Sequence, residues 1–153
     1  MCGYQPKGKY FEDFQVGDEY CSQSRTVTEA DIVGFAGLSG DFMQLHTSEK
    51  YAKSTVHGGR IAHGMLSMAI STGQGFQLGI FDGTILAFLG TSITFKAAVR
   101  IGDTLHTVMR INELRRTRKP GTAIMKTINS VINQNGAVVL EHEDTLMILC
   151  RKA

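Results

Sequence analysis

Cysteine is scarce in this chain. Cys2, Cys21 and Cys150 are the only three among 153 residues. They are odd in number, far apart and without a Cys-x-x-Cys pair. That argues against a disulfide framework or a zinc site and suits a reducing cytoplasm. An excess of charge is missing too. The formal net charge is +2, so no general electrostatic case exists for binding nucleic acid or a membrane surface. The first fourteen residues hold Lys7, Lys9, Glu12 and Asp13 and no apolar core, unlike a signal peptide. A long stretch free of Asp, Glu, Lys and Arg, 61–80, carries Ser67, Ser71, Thr72, Gln74, Gln77 and four glycines. A membrane span wants about 20 mostly apolar residues, so this stretch is too polar. No internal repeat or low-complexity segment stands out.

What is present is ordinary for a folded domain. Hydrophobic residues make up 42% and charged residues 20%, and this length buries a real core in a single domain, 1–153. Residues 10–18 read as an arm leading into a strand over 19–26. Thr28 is a helix N-cap with Glu29 and Asp31 in the first turn. Ile32, Phe35, Ala36 and Leu38 would form the apolar face of that helix, and Ser39-Gly40 would end it. A second short helix starts at Ser48, carries Tyr51 and Ala52, and breaks at Gly58-Gly59. The longest helix is expected over 61–78, with Ile61, Met65, Met68, Ala69 and Thr72 on one face and many small residues keeping it thin. Strands follow. Ile85 to Val99 alternates at period two, with a bulge expected at Gly90. Leu105, Thr107, Met109 and Ile111 define the next strand. Ile124, Ile128 and Ile132 define another. Asn135-Gly136 signals a hairpin leading into 138–149. Helices first and a meander of long strands afterwards make the class α+β.

Two segments carry chemistry. Gly40-Asp41-Phe42-Met43-Gln44-Leu45-His46 places a carboxylate and an imidazole five residues apart. They cannot share a helix face at that spacing, but a tight loop can bring both onto one water, where they can act as acid and base. Gly59-Arg60-Ile61-Ala62-His63-Gly64-Met65-Leu66 opens the long helix, whose first N–H groups favour negative charge. Adding water to an enoyl thioester pushes charge onto the thioester oxygen. A backbone donor there is worth about 3–4 kcal/mol in the transition state, and Gly64 has no side chain to block approach. Taken singly, each element has a plainer reading: a polar surface pair, a packing glycine, a His63 that bonds backbone, and core methionines at 65 and 68. Arg115, Arg116, Arg118 and Lys119 read as a solvated hairpin loop in preference to a contact for coenzyme A phosphates. Arg60 and Lys96 are alternative phosphate contacts.

At these residues the chain resembles the MaoC-like dehydratases, the R-specific enoyl-CoA hydratase family. The family pattern Gly-Asp-x-Asn-Pro-Leu-His is matched at 40–46, and its His-Gly-Met-Leu element at 63–66. Its Ser-x-x-Phe-x-x-x-Val strand followed by Gly-Asp is matched at Ser92, Phe95, Val99 and Gly102-Asp103. Tyr10-Phe11-Glu12-Asp13-Phe14 and Val16-Gly17-Asp18 look like the family's start. The resemblance implies a hot dog fold, a long central helix wrapped by a curved antiparallel sheet. It implies reversible syn hydration of a trans-2-enoyl-CoA to an R-3-hydroxyacyl-CoA. Asp41 and His46 become the catalytic pair, Gly64 the oxyanion donor, and Met65 and Thr72 candidate substrate-binding residues. No metal and no cofactor beyond the coenzyme A of the substrate are expected. The expected assembly is a homodimer or a larger dimer-based oligomer, in the cytoplasm, with neither nucleic acid nor membrane as partner. Met43 and Gln44 depart from the family's Asn-Pro. A hot dog thioesterase and a non-catalytic acyl-CoA-binding subunit are the alternative readings. The Asp-x-x-x-x-His spacing disfavours the thioesterase.

Overall fold

The computed structural model describes residues 7–151. A 3-10 turn at Phe11–Asp13 precedes β1 (Glu19–Cys21) and β2 (Arg25–Thr26). Three helices follow, α1 (Glu29–Ser39), α2 (Gln44–Thr47) and α3 (Glu49–Lys53), then the long α4 (Gly64–Gln77). Four strands complete the chain: β3 (Ile85–Phe95), β4 (Thr104–Arg116), β5 (Thr122–Ile132) and β6 (Val138–Leu149). All pairings are antiparallel, in the order β1-β4-β5-β6-β3, with β2 also on β4. The single strand expected over 19–26 is thus two short ones. Cysteine 2 lies outside the described residues. No helix among the described residues is long and apolar enough to cross a membrane.

Local chemistry sets the ends of the elements. The Thr28 hydroxyl accepts the Asp31 N–H, and the Asp31 carboxylate accepts the Thr28 N–H, which closes a capping box at the start of α1. Gly40 ends α1 at φ 77°, a left-handed conformation that costs glycine nothing. Leu38, expected on the inner face, is exposed, whereas Ile32 and Ala36 are buried. β3 carries register shifts at Ile85/Ala87 and Phe88/Gly90. A bulge therefore does fall at Gly90, and beyond it the simple alternation fails.

The long helix starts later than expected. Ile61 bridges Arg100, and the Ala62 N–H donates to the Val99 carbonyl, so this backbone is spent on an extended pairing. His63 is the N-cap residue and Gly64 the first helical one. The inner face also differs. Met65, Ala69 and Thr72 are exposed, and the buried residues are Leu66, Ser67, Met68, Ile70, Ser71 and Gln74. The helix turns part of its polar side inward because the sheet supplies partners there.

That polar side meets a band across the sheet. One apolar cluster joins Leu66, Met68 and Ile70 of α4 to Leu105, Val131, Val139 and Leu140. A second joins Phe14, Ile111, Ala123, Met125, Leu146 and Ile148. Between them lie buried Thr107, Thr127, Asn129, His142 and Asp144. On β5 the inward set is therefore Ala123, Met125, Thr127, Asn129 and Val131, not the set expected from Ile128 and Ile132. Two inward polar residues disguise the strand's true register.

Candidate active site

Asp41 lies in the turn after α1, and His46 lies in α2. The turn is built by its own backbone. The Met43 N–H donates to Asp41 Oδ1 at 3.1 Å, which orients the carboxylate. His46 is buried, and its Nδ1 sits 2.8 Å from the Ile61 carbonyl. A carbonyl only accepts, so Nδ1 carries the proton and Nε2 keeps a free lone pair. The ring is thus fixed as a base. Asp41, His46 and His63 each bring a ligating atom into one group in which all lie within 4.8 Å of one another.

His63 is the residue whose share in the site sequence reasoning understated. It bonds backbone, as expected of it, but the partner is the Asp41 carbonyl, 3.0 Å from its Nε2. Its ring stacks on His46 with centroids 3.8 Å apart and planes at 29°. It therefore clamps the 41–46 turn from below, one residue ahead of the helix that ends the site. The signal that could have found it was its position next to Gly64. These three side chains are also the donors that could hold a cation, since imidazole and carboxylate both ligate metals.

His46 opens onto a cavity of about 420 Å³ lined also by Ile61, Gly64, Ser67, Phe95, Val139 and others. Leu66 and Ser67 donate their N–H groups to the His63 carbonyl. Gly64 and Met65 are left as the helix-start donors without an intrahelical acceptor. At Gly64 a Cβ would sit 2.7 Å from Phe95 Cε1, so any larger residue there requires the half-exposed Phe95 ring to shift. The structure thus brings Asp41 beside His46, and His46 and Gly64 onto one cavity. It does not bring in the other two candidates. The Met65 side chain is 52% exposed on the outer face of α4 and does not line this cavity. Thr72 lines a separate cavity of about 400 Å³ farther along α4.

The flanking charges are paired. Arg60 makes a double contact with Glu29, at 2.8 and 2.5 Å, and its backbone N–H donates to Glu49. The hydrogen bond from Arg60 holds Glu29 below the ordinary carboxylate range, and the Arg60 backbone N–H does the same for Glu49. Lys96, which lines the cavity, pairs with Glu141 at 2.8 Å. The basic hairpin joining β4 to β5 lies at the opposite end of those strands. There Arg116 pairs with Glu12 and Arg115 with Glu113.

Comparison with known proteins places the whole chain. The model of the MaoC like domain matches residues 13–134. An (R)-specific enoyl-CoA hydratase from Rhodospirillum rubrum is 39% identical over 143 residues, 93% of either chain. An Archaeoglobus structure described as a monoamine oxidase regulatory protein superposes with a TM-score of 0.89 at 32% identity, covering 97% of this chain and all of that one. A Mycobacterium tuberculosis protein with a double hotdog fold matches with a TM-score of 0.84 at 21% identity, the match covering 94% of this chain and 45% of that one. The family match spans most of the sequence and the structural match nearly all of it, and the chain belongs to the MaoC-like domain family with its hot dog fold.

Proposed function

We propose that this protein is a hydro-lyase that adds water reversibly to a trans-2-enoyl-CoA and yields the R-3-hydroxyacyl-CoA. The observation that carries the reading is the convergence of the Asp41 carboxylate and the His46 imidazole beside the first amide of α4. Water held between the two loses a proton to one of them as its oxygen bonds to the β-carbon. The π electrons of the double bond move toward the thioester, and the enolate oxygen takes the charge. The Gly64 N–H faces that oxygen. The proton taken from the water is then delivered by the pair to the α-carbon from the same side, which makes the addition syn and leaves the pair as it began. His46 Nε2 is the better-prepared base because Ile61 fixes its tautomer. The names of relatives support the reading, among them the Rhodospirillum rubrum hydratase and a 3-hydroxybutyryl-CoA dehydratase of Methylorubrum extorquens.

Asp41→Asn and His46→Gln each leave the fold intact and lower hydration of crotonyl-CoA, followed at the enone absorbance, by about 10²-fold or more. Near-normal turnover in either variant defeats the assignment. We also propose that the working unit is a homodimer in a reducing compartment such as the cytoplasm. Leu86, Phe88, Leu89 and Phe95 on the edge strand β3, and Met65 and Phe76 on α4, are half-exposed or more. The double hotdog neighbour, of which this chain spans less than half, supports two copies of the fold side by side.

A further inference from the structure

His63 carries a buried nitrogen that the fold leaves unsatisfied. The residue is 3% exposed, and its Nδ1 has no hydrogen-bond partner among the described residues. The other ring nitrogen fixes the state of this one. Nε2 lies 3.0 Å from the Asp41 carbonyl, which only accepts, so Nε2 holds the proton and Nδ1 is a bare lone pair. His46 is pinned in the opposite sense, with Nδ1 donating to the Ile61 carbonyl and the lone pair on Nε2. Hydration uses the His46 lone pair and asks nothing of the one on His63.

A histidine that ligates a metal almost always donates its other ring N–H to a carbonyl or carboxylate, which fixes tautomer and orientation. Both imidazoles here are held in that way, each by a backbone carbonyl. The third group is the Asp41 carboxylate, oriented by the Met43 N–H. Asp41, His46 and His63 each place a ligating atom within 4.8 Å of the other two. Two imidazoles and one carboxylate form the donor set of open transition-metal sites, whereas magnesium and calcium favour oxygen ligands. An ion has a way in, because Asp41 is exposed and His46 faces the cavity of about 420 Å³, which also has room for water on the remaining position. One adjustment is needed. The rings stack with centroids 3.8 Å apart, and stacked rings aim their lone pairs side by side, so they must splay for both to reach one ion.

We propose that Asp41, His46 and His63 form a binding site for a divalent transition metal of the zinc kind, and that the bound ion switches hydration off. The switching rests on the hydratase reading; the binding does not. The His46 Nε2 lone pair that would take the proton from water is the one given to the ion. With the Asp41 carboxylate on the same ion, neither member of the pair is left to move a proton. No bond of the protein breaks, and a chelator that removes the ion restores both groups.

The test is titration calorimetry on the untagged full chain, first dialysed against a chelator, with zinc chloride and with magnesium chloride. Binding of zinc and none of magnesium is expected. His63→Gln keeps an amide donor for the Asp41 carbonyl and removes the ring nitrogen. It should weaken zinc by about tenfold or more, since losing a ligand costs no less than losing an outer partner of one. Asp41→Asn should also weaken it and serves if His63→Gln fails to fold. No binding to the wild-type protein, or unchanged affinity in a folded variant, overturns the site. Saturating zinc should lower wild-type hydration of crotonyl-CoA by about 10²-fold or more, the usual share of a positioned acid or base. EDTA should restore the rate, and magnesium should leave it unchanged. Zinc that binds while hydration continues or rises overturns the switch and leaves the hydratase reading standing. If crotonyl-CoA is hydrated neither with zinc nor without it, that reading fails, and the calorimetry alone decides the site.

Discussion

Met43 and Gln44 are the residues at which this chain departs from its family's Asn-Pro, and the structure shows how little the departure removes. What orients Asp41 is the Met43 backbone N–H, which any side chain leaves in place. The Met43 side chain is 58% exposed. Gln44 is the first residue of α2, where the N–H has no intrahelical acceptor and proline fits. Met43 has φ −52° and ψ 136°, the extended region that a following proline requires. Gln44→Pro should therefore restrict the unfolded chain without straining the folded one, and raise stability by about 0.4–1 kcal/mol. Urea melts of the two proteins measure it. A loss of stability would mean that the Gln44 N–H or side chain has a role in the turn. That Asp41, His46 and Gly64 stand at a turn and a helix start was legible in the sequence because such elements obey local rules, whereas the roles assigned to them rest on the family resemblance. The clamp by His63 was not, since it joins residues 22 apart through a carbonyl that every residue possesses.

At the scale of elements, local signals again carried furthest. The capping box at Thr28, the glycine at the end of α1 and the Asn135-Gly136 hairpin all stand where their chemistry puts them. The inner faces of α4 and β5 did not follow from hydrophobicity, because Ser71, Gln74, Thr127 and Asn129 point inward and are satisfied by one another and by distant strands. Periodicity counts apolar residues and is blind to polar ones that find partners. A second long-range link joins α1, α3 and the approach to α4 through Arg60. Glu29 and Glu49 lie below their ordinary value of 4.5 when folded. The stability they confer is complete above that value and drains as pH falls through the lowered one. Arg60→Ala releases Glu29 but leaves Glu49 its backbone donor. The variant should be less stable than wild type at neutral pH, and the gap should narrow on acidification toward pH 3. Urea midpoints measured at both pH values check it, and a gap independent of pH would show that Arg60 acts by packing alone.

For the molecule as a whole, the unsolved surface is the open side of the sheet. Among the described residues β3 pairs only with β6, and one row of its backbone donors and acceptors has no strand of theirs beside it. An exposed, eleven-residue edge carrying Leu86, Phe88, Leu89 and Phe95 is a liability for a monomer. β1, at the other edge, is three residues long and offers no such template. A second copy turned about a two-fold axis would bring β3 against β3, extend the sheet and cover the outer face of α4. In that arrangement each side chain near the centre of β3 lies close to its own symmetry mate, so one substitution introduces two like charges at once. Leu89→Glu, at the middle of the strand and half-exposed in the single chain, should leave the protomer folded and halve the mass seen by light scattering. High salt should partly restore the dimer by screening the repulsion. If the variant keeps the wild-type mass at low salt, the partner copy does not meet this edge, and the apolar row on β3 needs another occupant.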